Sequence, residues 1–329
     1  MATTRKYRIP EQRLQQIRNA AEGTAPIAVD EGRPKPIVPA REHQGYYGLP
    51  LLKRPPWKWE VPIYFFVGGA AGAASILAAA ANRFGARQET VRDARWLAAI
   101  GGAISPALLV ADLGVPSRFL NMLRVLKIQS PMSVGSWTLL AFTSSSAALA
   151  LLGEMERRTE RRIPVLTTAA EVASLLSAGL LSTYPGVLIG ATAVTVWHEN
   201  VGLLPVHFAA SGLSAAVSIL ELRGHTIRPL NRLGLAAAAI ETATATTLEV
   251  RKTPASSHLR SGLAGWMMRT AGLLSGPLPL ALRLAALFSS DRRRKQLQKA
   301  AAISALIGSV ATRVAWVEAG RKSADTSTT

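Results

Sequence analysis

A chain of 329 residues could hold two soluble domains, but 49% of its side chains are apolar and its charges fall between long uncharged stretches. Residues 61–81 and 130–153 contain no Asp, Glu, Lys or Arg, and each can cross a bilayer core, which takes about 20 helical residues. The net charge of +18 sits largely in short Arg-rich connections, where topology and anionic lipid account for it, so membrane lipid is an expected partner and nucleic acid is not.

The inventory of ligating side chains narrows the chemistry. The chain has no Cys, which excludes disulfides, zinc–thiolate sites and Cys-ligated iron–sulfur clusters within it. Of the five His, His43, His225 and His258 fall in the tail or in connections, leaving His198 and His207 near one membrane face. Axial His pairs at two depths, as a pair of b-type haems requires, cannot be assembled from that set. Electron chemistry here therefore calls for a diffusible cofactor or a partner protein.

Residues 1–58 are polar, basic and interrupted by Pro, and read as an extended N-terminal arm. No apolar stretch precedes residue 61, so no cleavable signal peptide is expected. Trp57 and Trp59 then mark a bilayer interface. Eight spans are predicted, at about 60–82, 93–112, 131–153, 166–190, 203–222, 229–250, 265–288 and 297–317. In the seventh, Arg269 and Arg283 leave a short apolar centre, so it reads equally as an interfacial or re-entrant segment. The expected fold is an all-α integral membrane bundle, divided into the arm, residues 59–222 and residues 223–329.

Charge orients it. The connections after spans one, three, five and seven hold sixteen Arg and Lys, against six after spans two, four and six. The positive-inside rule makes the first set cytoplasmic and places both termini outside. Small residues crowd the spans, as in Gly68, Gly69, Gly72, Ala73 and Ala74 of the first and the alanines from Ala236 to Ala239 of the sixth, which permits close helix packing.

With alternating helices, several polar groups share one side of the membrane. Glu60 and Tyr64 lie four residues apart on one face at the start of span one. Asp112 closes span two, Tyr184 lies late in span four, His198 and Glu199 follow it, and His207 opens span five. Ionisable groups at membrane depth are costly and usually face a cavity or a partner. Plainer roles fit too: Glu60 suits a helix N-terminus, Tyr184 an interfacial belt, Asp112 a helix end, and both His a structural hydrogen bond. Glu241 differs, sitting mid-span among alanines with no nearby basic residue in its own helix, which favours function. Tyr and His donors beside carboxylates that can exchange protons are what a quinone's two carbonyl oxygens require.

The run Asp112-Leu-Gly-Val-Pro-Ser-Arg-Phe119, with Ser130-Pro-Met-Ser-Val-Gly-Ser-Trp137, resembles a pattern of the NrfD/PsrC family, the membrane subunits of polysulfide-reductase-type oxidoreductases. Trp59-Glu-Val-Pro-Ile-Tyr64, Tyr184-Pro-Gly-Val-Leu-Ile-Gly190 and Leu203-Leu-Pro-Val-His207 resemble its first, fourth and fifth helices. The resemblance covers residues 46–222; beyond about 225 only hydropathy matches.

The resemblance implies eight helices in two four-helix bundles, free of haem. It further implies menaquinone or ubiquinone as cofactor, a ferredoxin-like iron–sulfur subunit and often a molybdopterin subunit as partners, and the bacterial cytoplasmic membrane as location. Tyr184 matches the family's Tyr on helix four, and Glu60 and Tyr64 fall at its polar helix-one positions, where some members have an Asn/His pair. A later acidic position corresponds to Glu241 or Glu249. Tyr184, Glu60 and Glu241 are thus expected to carry the chemistry, with Tyr64, Asp112, Tyr184, His198 and His207 contacting quinone. A solute or ion transporter, or a purely structural anchor, are the competing functions; transporters usually show an internal repeat, and none is detected between the halves.

Overall fold

In a computed structural model of the chain, the described residues are 29–30, 33–34, 52, 54–161, 163–251 and 262–325. They fall in two compact units, Met1–Leu51 (with Thr328–Thr329) and Leu52–Ser327. In the first, β1 (Val29–Asp30) pairs antiparallel with β2 (Arg33–Pro34), a local pairing that the arm's polar composition does not announce. The remainder of the predicted arm up to Leu51 lies outside the described residues.

The second unit is helical. Its elements are α1 (Glu60–Arg83), α2 (Gln88–Asp112), a short 3-10 turn at Pro116–Arg118, α3 (Phe119–Met122), α4 (Pro131–Thr159) and α5 (Pro164–Gly190). There follow α6 (Thr195–His198), α7 (Leu204–Leu222), α8 (Arg228–Val250), α9 (Gly262–Ser275), α10 (Pro277–Leu287) and α11 (Asp291–Asp325). Helices α4, α5, α7, α8 and α10 each carry Pro in the first turn, where its fixed φ suits the helix and its missing N–H is not needed. Gly114, at φ +70°, turns the chain out of α2 in a conformation that a side chain disfavours.

Among the described residues, seven helical segments are long and apolar enough to cross a membrane, α9 and α10 counting together as Gly265–Leu287, one fewer than the eight spans expected. The exception is α8, whose second half carries Glu241 and four threonines. Those threonines return their hydroxyls to backbone carbonyls of the same helix, for example Thr242 to Ala238 and Thr247 to Ala243, both at 2.7 Å. The threonine hydroxyls that lower its hydropathy are therefore satisfied within the helix.

Helix α1 is the hub, packing on α2, α5, α7 and α11. Small residues make this possible. A Cβ on Gly72 would stand 2.9 Å from the Ala178 carbonyl of α5, and one on Gly212 of α7 would stand 2.7 Å from the Gly69 carbonyl. Hydroxyl contacts stitch helix crossings as well, Ser75 of α1 to Ser174 of α5 at 2.8 Å and Ser211 of α7 to Ser309 of α11 at 2.7 Å. Helix α7 also packs on α8 and α11, and α11 on α9 and α10.

The predicted seventh span is two helices broken at Gly276–Pro277. Ser304 of α11 donates to the Leu274 carbonyl at 2.9 Å near the break. The two arginines that weakened this span from sequence behave differently. Arg269 is exposed and pairs with Glu249 at 2.8 Å, whereas Arg283 is fully buried. Its guanidinium grips both oxygens of Glu221 at 2.7 Å and reaches Asn231 Oδ1 at 3.3 Å. Gly234 on α8 leaves the space in which the guanidinium lies, since a Cβ there would overlap it. A buried Arg is thus a fastener between α7, α8 and α10.

Removing one partner of such a pair leaves an uncompensated buried charge, which costs about 3–5 kcal/mol, whereas replacing both with apolar groups is often neutral. Arg283→Met should therefore lower the thermal unfolding midpoint sharply in mild detergent, followed by helix circular dichroism. Glu221→Met combined with Arg283→Met should recover most of that loss. A double variant as unstable as Arg283→Met alone would show that packing, not charge, fixes this junction.

Candidate functional site

Two groups of polar side chains lie towards the end of the bundle where α1 begins. The first is built on α1, α4 and α5. Tyr64 is buried, and one turn before it Glu60 has a buried Oε2 with no hydrogen-bond partner. Tyr184, also buried, lays its ring over Gly135 of α4, where a Cβ would overlap the ring and the hydroxyl. The glycine of the Ser-Pro-Met-Ser-Val-Gly run is therefore a notch that seats the Tyr184 ring. A Cβ on Gly68 would touch Tyr64 at 3.6 Å and Leu181 at 3.8 Å, so α1 and α5 meet one turn deeper. Tyr64 and Tyr184 are close enough to interact electrostatically. Two residues beyond Gly135, the indole N–H of Trp137 is buried without a partner.

Asp112 has a different place. Its Oδ1 accepts the Lys58 backbone N–H at 3.1 Å, tying the segment that enters α1 to the end of α2. The acid of the Asp-Leu-Gly run thus fixes the chain two residues before Glu60. His198 is exposed at the end of α6. Beside it, Trp197 is fully buried: its Nε1–H donates to the Trp316 carbonyl at 2.9 Å, and Trp57 stacks on its ring at 5.2 Å and 17°. Gly320 of α11 provides the floor for that ring, since a Cβ there would overlap it.

The second group joins α7, α8, α9 and α11. Glu241 is wholly buried; its Oε2 lies 2.9 Å from the Ser275 hydroxyl and 3.6 Å from His207 Nδ1, and its Oε1 has no partner. His207, 3% exposed, contacts Thr244 Oγ1 at 3.1 Å through the same nitrogen, and its Nε2 has no partner. Arg313 is 1% exposed, with Nη1 bonded to Ser211 Oγ at 2.7 Å and to Ser309 Oγ and carbonyl at 2.7 and 2.8 Å. Its guanidinium lies over the Phe208 ring at 5.3 Å. An aromatic series, Tyr64, Phe65, Phe208 and His207, runs between the two groups at centroid spacings of 5.6, 5.9 and 5.9 Å.

The structure thus brings Tyr64 close to Tyr184, and His207 to Glu241, while Asp112 serves backbone and His198 faces outward. Glu249 lies on the exposed face of α8. Sequence reasoning passed over Arg313, Glu221 and the role of Arg283. A readable signal existed for Arg313, a full charge inside the predicted eighth span, where an ionisable group is a site hypothesis by default. Among the described residues, no three His, Asp or Glu side chains converge as a metal site.

Comparison with known proteins places the chain. No curated protein matches it. The family profile described as "Polysulphide reductase, NrfD" matches residues 51–318, continuing well past residue 222 into the helices where the motif resemblance had faded to hydropathy. The match begins ahead of α1, takes in both polar groups and ends late in α11. The chain is a multi-pass membrane protein that belongs to the NrfD family.

Proposed function

We propose that this protein is the quinone-interacting membrane subunit of a bacterial respiratory oxidoreductase complex, carrying electrons between the quinone pool and a ferredoxin-like iron–sulfur subunit. A molybdopterin subunit completes the complex in this reading, and the chain resides in the cytoplasmic membrane with α8 as its eighth crossing, in two four-helix bundles. The observation that carries the proposal is two buried tyrosines, Tyr64 and Tyr184, at one end of the bundle, with the partnerless Glu60 Oε2 one turn from Tyr64, in a chain of the NrfD family.

Those residues suit the head of a quinone. The two phenols are donors, and Tyr184 is held by Gly135 so that its hydroxyl is placed by packing rather than by a competing hydrogen bond. The buried Glu60 Oε2 is an acceptor awaiting a donor, or a group that takes up and releases a proton. A bound quinone supplies two-electron, two-proton redox chemistry there. Asp112 holds the entry to α1 and so positions Glu60, and the exposed His198 offers a contact for a partner. A transporter is less well supported, because the polar groups cluster towards one end.

Deleting only the Tyr184 hydroxyl removes a hydrogen bond worth about 0.5–1.5 kcal/mol net, more where a buried partner is left unsatisfied. Tyr184→Phe should therefore slow quinone-linked turnover of the whole complex by about threefold to a hundredfold. Glu60→Gln should slow it with an altered pH dependence, and Gly135→Ala should do so by pushing the ring from its notch. A dye that bypasses the membrane subunit should be reduced at the normal rate in all three. Equal losses with dye and quinone would indicate failed assembly, and normal quinone activity in all three would refute the site.

The charge asymmetry of the connections carries a separate expectation. A single Cys introduced in the connection between α4 and α5 of this Cys-free chain should be labelled from the cytoplasmic side, and one between α2 and α4 from the outside. The reverse pattern would mean that the basic arm, not the connections, sets orientation.

A further inference from the structure

The His207–Glu241 pair adjoins a cavity of about 270 Å³ lined by α7, α8, α9, the start of α10 and α11, with His207 and Thr312 among its walls and Glu249 and Arg269 at its exposed margin. We propose that this cavity is a water-filled access path and that His207 and Glu241 form a proton-holding site served by it, separate from the Tyr64–Tyr184 pair. The proposal does not depend on quinone binding.

Hydrogen-bond bookkeeping assigns the proton. The Thr244 hydroxyl donates to the Glu241 backbone carbonyl at 2.9 Å, so towards His207 Nδ1, at 3.1 Å, it can only accept. Neutral His207 therefore carries its hydrogen on Nδ1 and presents Nε2 as a base. That nitrogen is buried without a protein partner, on a ring that lines the cavity. An excess proton arriving through the waters as hydronium can pass to Nε2, leaving water and an imidazolium whose charge the Glu241 carboxylate offsets from 3.6 Å. Glu241 keeps a bare Oε1, and the Ser275 hydroxyl on its Oε2 comes from the end of α9 at the helix break.

The surrounding charges are Arg313 from α11, within electrostatic reach of both His207 and Glu241, and the Glu249–Arg269 pair at the margin. Arg313 spends its Nη1 on Ser211 and Ser309, so it neutralises Glu241 from a distance without occupying it. A volume of about 270 Å³ holds several waters at about 30 Å³ each, and His207 supplies the polar contact that a dry apolar cavity lacks.

Two measurements test this on the full chain in vesicles and after purification. Gly272 lines the cavity, and a Cβ there meets only Ala245 at 3.7 Å, so Gly272→Cys introduces one thiol with little disturbance. Only a thiolate reacts, and thiolates form where water reaches. A small charged methanethiosulfonate reagent should modify Gly272→Cys at least about tenfold faster than Leu176→Cys, which sits 69% exposed on the outer face of α5. Equal, slow labelling of the two would overturn the water path. In pH-difference infrared spectra without quinone, a carboxyl or imidazole band should titrate in the parent protein, vanish in Glu241→Gln and His207→Gln, and persist in Tyr184→Phe. A band that survives both substitutions, or one lost in Tyr184→Phe, would sink the separate site.

Discussion

The close crossing of α1 and α7 at Gly69 and Gly212 governs the interior of this protein. With no side chain on either residue, the Gly212 backbone packs against the Gly69 carbonyl, and neighbouring groups are drawn to the same level. Phe65 and Phe208 meet edge to face at 5.9 Å one turn from that crossing. Arg313 fits beside it: a Cβ on Gly69 would press on the guanidinium at 3.3 Å. The two polar groups are neighbours because the helices that carry Tyr64 and His207 share this contact. A larger residue at either glycine separates them.

A second constraint is the accounting of polar groups where water is absent. Hydroxyls are abundant in the helices, yet most return to carbonyls a turn earlier, as Ser182 does to Ala178 and Thr312 to Gly308. Charged groups at depth are matched too, most completely in Glu221 and Arg283. Glu60 Oε2, Glu241 Oε1 and His207 Nε2 are among the buried polar atoms left without a partner, and they differ from the others in belonging to carboxyl and imidazole groups. They share a half of the bundle and come from α1, α7 and α8.

Much of this was readable from sequence, and the exceptions have physical causes. Apolar stretches located α1, α5 and α7 to within about two residues and fixed the start of α4, because a bilayer admits little else over that length. The opposition of Tyr64 and Tyr184 was legible through alternating helix directions, which put the start of α1 and the end of α5 on one side. The notch at Gly135 was not, since a motif names a glycine without naming the ring that fills it. Hydropathy undervalued the span containing Arg283, because a scale scores each residue alone and cannot see Glu221 sixty-two positions away. The same blindness overvalued α8 as a plain span, where threonine back-bonding rather than apolarity makes the helix compatible with its neighbours.

The tryptophans ahead of α1 set a condition on the order in which the molecule is made. Trp57 stacks on Trp197, whose ring rests on Gly320 and whose N–H is held by the Trp316 carbonyl, so the seat for an early residue is furnished by the last helix. Helices emerging from the ribosome can insert one by one, but this lid cannot close until α11 has been synthesised and docked. The contact between the entry to α1 and α11, made through Trp197, is therefore among the last to form.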